Sequence, residues 1–345
     1  MVDRGFGLEL ESTYGDTTVT KENFSLDWWS EADDVDFKLN DEPVTKSGGS
    51  RMNKRARAGV MKPTGSTTAD ADLQRLTWYF LGFLDNYVYT AGDTDEPNIH
   101  EFYGGEGKQL QSFRGIAVFD MLKKYLYGIL IDSLKLEVSD DSMTVETDYI
   151  YKTEKSGIIG IDGETFTRPA DLEEDLFIMF YDVSLKLNNK AVDGVSTAFT
   201  FEGNNNHNVD NSIGLGSRFP QVRASAEKRE ISLSLTTTLT NDTVRSILDA
   251  QYGVVDASEP SLCKILQIPL EVNVALCEIP DVSLKILFPR CTVRVEYDMS
   301  GGDAIEVTMN LSTLGSETVT LNDGETEVVT DMYVKLLNGQ SNLLG

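Results

Sequence analysis

Residues able to act in acid/base, nucleophilic or metal chemistry are present, but the sequence does not arrange them in a familiar catalytic pattern. The chain has two histidines, His100 and His207, and neither occurs in a GxSxG or HExxH context. Both have polar neighbours, so we predict that they lie on surface loops. Acidic pairs such as Asp140-Asp141 and Glu173-Glu174 are so frequent that two carboxylates at a glycosidase separation would arise by chance. We interpret these pairs as solvated turns.

Glycine and cysteine residues give no stronger signal for a binding site. Neither Gly48-Gly49 nor Gly301-Gly302 is followed by the Lys-Ser or Lys-Thr of a phosphate-binding loop. Cys263, Cys277 and Cys291 are odd in number and widely spaced, which matches neither a disulfide framework nor a short-spaced zinc site. We expect them to be buried strand residues in a reducing compartment. The sequence therefore predicts a protein that is not an enzyme and binds no cofactor or metal.

The strong acidity restricts what the protein can bind. Asp and Glu number 56 against 30 Lys and Arg, giving a formal net charge of −26, which argues against a protein that holds phosphates with basic side chains. Solubility, a salt-loving host and a surface that must not stick to DNA are all compatible with this charge. There is no apolar run of the roughly 20 residues that a membrane span needs, and MVDRGFGLELESTYG lacks a signal-peptide core. We expect no membrane insertion, and synthesis and assembly in the cytoplasm.

The sequence segments that would position these residues occur twice, in the same order. A chain of 345 residues suits two domains of about 150 residues each. Gly49-Ser50-Arg51 precedes Arg57-Ala58 and a Thr-rich stretch, and Gly216-Ser217-Arg218 precedes Arg223-Ala224 and a second Thr-rich stretch. This repetition predicts two copies of one structural unit.

Each half continues with a helix pattern and then with a hairpin pattern. Thr68 or Asp70 would cap the first helix, and Asn241 the second. Apolar and polar residues alternate strictly over 133–151 and 292–312, which predicts hairpins with one buried face and one wet face. The segment 113–127 fits either a strand with a helical turn or one short amphipathic helix.

These patterns predict a mainly β fold of two tandem β-sandwich repeats, each with one α-helix. We place the first repeat at residues 1–160, a linker or acidic loop at 161–176 and the second repeat at 177–314. The remaining residues, 315–345, would form a C-terminal strand pair or arm.

Four segments carry a resemblance to a known family. They are GLELESTYGDTT, the GGSR loop with RAGVMKPTGSTTADADL, the stretch from YGILIDSLKLEVS to DYIYKTEK, and DVSLKLNNKAVDGVSTAFTFEGNNN running on to GLGSRFP. In this order, across most of residues 5–315, they resemble the tail tube proteins of long-tailed phages and of related archaeal tailed viruses.

The resemblance implies a structural virion protein that polymerises as stacked rings into a tail tube, the conduit for genome ejection. Strands from every domain would join one closed barrel in the ring. Two repeats per chain favour a trimer with pseudo-sixfold symmetry, and a hexamer is the alternative. The partners would be further copies of the chain, other tail proteins, and DNA in transient, non-specific passage.

The resemblance also suggests site residues. Arg51 and Arg218, in the repeated loops, are candidates for subunit contacts. The polar hairpin faces would line the lumen, where Lys135 and Arg294 would partly offset the acidic charge. The lumen-facing candidates are Glu137, Glu146, Asp148, Glu296, Asp298 and Glu306.

Other functions stay open at this point. A tail terminator or distal tail protein would share the fold, and copy number per particle would separate either from the tube. A non-viral surface adhesin would suit tandem sandwiches, and a glycan-acting enzyme would suit abundant carboxylates with Trp28, Trp29 and Trp78. We expect those tryptophans to serve packing instead.

Overall fold

Strands dominate the chain, which is mainly β, as the alternation of apolar and polar residues predicts. The structure is a computed structural model. It describes residues 4–18, 24, 26–41, 44–46, 55–93, 96–139, 141–161, 177–192, 196–238, 247–249, 251–252, 259, 267–277, 279, 281–298 and 306–344.

The elements of the first half follow one another with short connections. In chain order they are β1 (Arg4–Leu10), β2 (Trp28–Glu31), β3 (Asp34–Lys38), β4 (Val44–Lys46), β5 (Arg55–Arg57), β6 (Thr64–Asp70), α1 (Leu73–Phe83), β7 (Asn86–Thr90), β8 (Asn98–Tyr103), β9 (Phe113–Phe119), β10 (Leu122–Val138), β11 (Met143–Ile150) and β12 (Thr153–Ile158).

The second half is also built from strands. They are β13 (Val183–Leu187), β14 (Lys190–Ala191), β15 (Ser196–Asn204), β16 (Glu230–Thr238), β17 (Ile268–Ala275), β18 (Ser283–Asp298), β19 (Glu306–Thr313), β20 (Glu317–Thr320), β21 (Glu327–Thr330) and β22 (Tyr333–Asn338).

Eight strands from both halves form one continuous antiparallel sheet, called here the common sheet. Its order is β3, β6, β11, β10, β15, β16, β19 and the last part of β18. Its two ends therefore come from different halves of the chain. One face is apolar and buried, with Leu134, Leu136 and Val145 from the first half and Leu235 and Met309 from the second.

The first parts of β10 and β18 belong to two further sheets. β10 begins beside β9 and β12, in a sheet that β1 and β2 complete. β18 begins beside β17 and β22, in a sheet that β13 and β14 extend on one side and β8 and β7 on the other. In β10 the change of sheet coincides with Gly128 at a φ of 66° and with a register shift between Ile131 and Ser133.

The helix α1 fills the space behind the first half of the common sheet. Its N-cap is Asp72, whose carboxylate accepts hydrogen bonds from the backbone N–H groups of Gln74 and Arg75. The prediction of Thr68 or Asp70 as the cap was wrong, because β6 continues through Asp70 before the chain turns. The second predicted helix lies mostly outside the described residues, although residues 247–249 and 251–252 are helical.

One apolar core joins the two halves. The ring of Phe83, at the end of α1, meets the ring of Phe201 in β15 edge to face, with centroids 6.1 Å apart. Phe201 in turn contacts Phe288 in β18, at 5.6 Å. Trp28, Trp29 and Trp78 are buried packing residues, as expected.

Several details differ from the sequence predictions or resolve them. The segment 113–127 is β9 and the start of β10, joined by a turn with Asp120 at a φ of 58°. Cys291 is buried as expected, Cys277 is exposed and contradicts the expectation, and Cys263 lies outside the described residues. Within the described part of the chain, no helix is long and apolar enough to cross a membrane.

Both histidines are buried, so the prediction of surface positions was wrong. The His100 side chain lies between a strand and the C-terminal segment, with Nδ1 2.9 Å from the Tyr87 hydroxyl and Nε2 3.1 Å from the Gln340 carbonyl oxygen. The prediction rested on the polar residues next to each histidine in the sequence. His100 is buried because its strand β8 is paired with β22. β22 inserts between the two halves, and β20 and β21 form a separate two-stranded ribbon before it.

Burial of His100 predicts an acid-sensitive fold. Burial lowers the pKa of His100 from its ordinary value of 6.5 to about 4. The unfolded chain then binds more protons between pH 6.5 and 4, so the free energy of unfolding falls as pH drops through this window, by roughly 2–3 kcal/mol. Replacing His100 with Asn should flatten this part of a pH series of urea unfolding curves. An equal slope in both proteins would contradict the assignment.

Candidate assembly edges

The common sheet consists of two sets of four strands, and the strands of each set are paired in the same order. The first four strands are β3, β6, β11 and β10, and the last four are β15, β16, β19 and β18. In each set the hairpin predicted from the sequence pairs with the Thr-rich strand that follows the repeated loop. The strand before that loop completes each set.

Turn residues match between the two sets as well. Asn40 and Asn206 each lie two positions beyond the end of their first strand, and their φ values are 49° and 50°. The side-chain amide of Asn40 donates to the carbonyl oxygen of Lys62 at 3.0 Å, and that of Asn206 donates to the carbonyl oxygen of Lys228 at 2.9 Å. These contacts align β3 with β15 and β6 with β16.

The two sets meet where β10 pairs with β15, called here the central junction. Lys135 lies opposite Glu202, Leu136 opposite Phe201, and Leu134 opposite Gly203. The register therefore opposes Lys135 and Glu202 on the wet side, where Lys135 Nζ forms its ion pairs with Glu137 and Glu146, and it opposes apolar residues on the core side. Opposite charges and apolar pairs at directly opposed positions stabilise antiparallel strands.

Arg218, in the second copy of the repeated loop, contacts residues that flank β3 and β6 in the first half. Its Nε donates to the carbonyl oxygen of Gly59 at 2.9 Å, and its Nη2 lies 2.9 Å from a carboxylate oxygen of Asp41. Its own carbonyl oxygen accepts a hydrogen bond from the N–H of Met61 at 2.7 Å. Arg218 thus contacts the other half of the same chain, and Arg51 lies outside the described residues.

Arg223 also spans the two halves. It donates to the carbonyl oxygen of Leu110 at 2.9 Å and to the hydroxyl of Ser112 at 3.1 Å. Its guanidinium group lies over the ring of Tyr14, 5.7 Å from the centroid.

The two ends of the common sheet are the candidate assembly edges. β3 pairs with β6 along one side, and β18 from Thr292 onward pairs with β19 along one side. Among the described strands, neither has a partner on its other side. Unpaired backbone N–H and C=O groups along such an edge are available to another chain. On β3 the carbonyl oxygen of Phe37 already accepts a hydrogen bond from Lys124 Nζ at 2.6 Å. Of the two end strands, β3 corresponds to β15, and β18 corresponds to β10. β10 and β15 are the strands that meet at the central junction.

Five of the six lumen-facing candidates, Glu137, Glu146, Asp148, Glu296 and Glu306, lie on the wet face of the common sheet. Lys135 lies between two of them, with Nζ 2.8 Å from Glu137 and 3.6 Å from Glu146, and the hydrogen bond to Glu137 raises the pKa of Lys135. Asp148 accepts a hydrogen bond from Ser133 at 2.7 Å. In the second half, Glu296 lies opposite Thr308 and Asp298 opposite Glu306. The structure brings the candidates together on two hairpins of one sheet.

The contact between buried His207 and partly exposed Asp132 marks the end of the central junction. The Asp132 carboxylate is 2.9 Å from both the backbone nitrogen and Nδ1 of His207. Asp132 occupies the register shift in β10, and His207 follows β15, so the contact fastens the second half to the first.

No pattern in the sequence singles out β3, Asp36 or Glu202 as part of a site. One signal could have aligned these segments. An asparagine and a later lysine recur in both sets, as Asn40 with Lys62 and as Asn206 with Lys228. Comparison with models of known protein families gives no match for this chain. Curated protein sequences give no match either.

Close packing at the central junction predicts a steep cost for a methyl group at Gly203. A Cβ atom there would lie 2.3 Å from the Phe83 ring, so buried aromatic residues would have to move. Replacing Gly203 with Ala should destabilise the protein by about 1–3 kcal/mol in urea unfolding. Gly214 is the matched control, because its Cβ would meet only Gln221, at 3.8 Å. Equal effects of the two substitutions would argue against a tightly packed junction.

Proposed function

We propose that this chain is the structural subunit of a viral tail tube and that it assembles into rings that stack around a DNA-conducting channel. The observation that carries the proposal is the central junction, with counterparts of its two strands standing at the ends of the common sheet. A second copy can offer its β3 to the β18 of the first, as β15 meets β10 within one chain.

Hydrogen bonding of the backbone groups at the two sheet edges favours a closed ring. Pairing of β18 with β3 of the next copy is a head-to-tail contact, and such contacts form rings when the rotation between subunits closes. A closed ring leaves neither edge of the common sheet unpaired.

Subunit number follows from the repeated strand order. Two similar sets per chain mean that three chains supply six sectors and roughly 24 strands. Six chains per ring is the alternative, and the second half would then decorate the outside. The trimer uses both sets in the barrel wall, which accounts for their junction in one continuous sheet.

The wet face suits passage of DNA. Glu137, Glu146 and Asp148 give the first hairpin acidic character, and Glu296 and Glu306 do so on the second hairpin. Between the hairpins, Ser232, Ser234 and Thr236 of β16 form a neutral polar stretch. The carboxylates would repel DNA phosphates, and the hydroxyl groups would bind them only weakly. The few cations, such as Lys135, form ion pairs with neighbouring carboxylates. DNA would therefore slide without being held.

Electron microscopy of the purified chain at low and at molar salt tests the proposal. The formal charge of −26 opposes association, and salt screens this repulsion. We expect stacked rings with a central channel, favoured at high salt, and a mass of three chains per ring by native mass spectrometry. Single rings that never stack would favour a terminator or distal tail protein. A monomer under every condition would contradict assembly and favour an adhesin or an enzyme.

A further inference from the structure

We propose that the contact between subunits copies the register of the central junction, so that Arg294 lies opposite Asp36 of the next copy of this chain. The inference rests on the proposed head-to-tail assembly and adds to it the partner strand, the register and the ion pair. Each step of the register follows from strand pairings within the chain.

Lys135 and Arg294 occupy the same position in the two hairpins. Lys135 lies opposite Glu146 in the first hairpin, and Arg294 lies opposite Asn310 in the second. Next to them, Leu136 is opposite Val145, and Val295 is opposite Met309. Both hairpins place the cation on the wet face and the flanking apolar residues toward the core.

Asp36 and Glu202 correspond in the same way. Asp36 lies opposite Ser66, and Glu202 lies opposite Ser232. The strands that carry them end two residues before Asn40 and Asn206, whose left-handed conformations match. Asp36 and Glu202 therefore occupy the same place in the two strand sets.

The pairing at the central junction then predicts the pairing between two copies of the chain. Lys135 faces Glu202 at the central junction, so its counterpart Arg294 faces Asp36 of the next copy. Both side chains are accessible for this contact, with 84% of Arg294 and 40% of Asp36 exposed. Their present contacts are local: Arg294 Nε is 3.9 Å from Glu296, and Asp36 pairs with Lys38 two residues along its own strand. A cation on the hairpin edge and an acid on the first strand recur at both places.

The same register completes the apolar side. It sets Val293 opposite Phe37 and Val295 opposite Val35 of the next copy. Val293 and Val295 are only partly buried in the single chain, where they pack at the end of the core. Val35 and Phe37 lie at the other end of the core. Pairing would join the two ends into one apolar layer around the ring.

One opposed pair in this register is unfavourable. Glu296 would face Asp34 of the next copy, whereas the corresponding pair at the central junction is Glu137 with Thr200. Directly opposed like charges weaken strand pairing. The register therefore predicts that replacing Asp34 with Thr, which reproduces the central junction, promotes assembly at low salt.

Charge reversal tests the proposed ion pair. Arg294→Glu and Asp36→Arg should each raise the subunit concentration at which rings appear by roughly tenfold or more, because each sets like charges face to face. The double variant, which reverses the pair, should recover assembly close to that of the unmodified chain. Lys190→Glu, on the exposed strand β14, is the control for a change in total charge. Sedimentation velocity and electron microscopy measure assembly, and thermal unfolding of each subunit checks that it is folded.

The outcomes separate this register from the proposed function. Rings formed equally well by all variants would overturn the register and leave the tube intact. Loss in both single variants without recovery in the double variant would also overturn the pairing of these two residues. An unmodified chain that never forms rings would overturn both proposals.

Discussion

The backbone N–H and C=O groups along the two ends of the common sheet are the constraint on which this structure depends. Every interior strand of that sheet pairs with a neighbour on both sides, whereas, among the described strands, β3 and the end of β18 each pair on one side only. The chain contains a solution to the same problem at its centre, where β10 and β15 meet with opposite charges outside and aromatic packing inside. Assembly extends this solution to a second copy.

Two long strands make the common sheet possible. β10 and β18 each leave an outer sheet and then enter the common sheet, so the outer sheets, with α1, cover its apolar face. Phe83, Phe201 and Phe288 continue the core across the central junction. Among the described residues, the other face of the common sheet is polar, with acidic residues on both hairpins and on β3 and β15. The packing thus separates the buried face, the edges and the polar surface of a single sheet.

Much of this could be predicted from strict local patterns. The alternation in both hairpins predicted their strands and their wet faces, since a period of two is visible in a single strand. The C-terminal strand β22 and the burial of His100 could not be predicted in this way, because they depend on contacts between residues far apart in the chain. The cap at Asp72 was missed because a strand ending at Asp70 and a helix beginning at Leu73 share the same few polar residues.

Hydrogen–deuterium exchange of unassembled subunits and assembled rings tests the central claim most directly, because amide exchange reports whether edge groups are hydrogen bonded. We predict that protection appears on assembly in Asp34–Lys38 of β3 and in residues 292–298 of β18, while β16, paired on both sides within one chain, changes little. Assembled particles in which both edge segments exchange as fast as in the free subunit would contradict it.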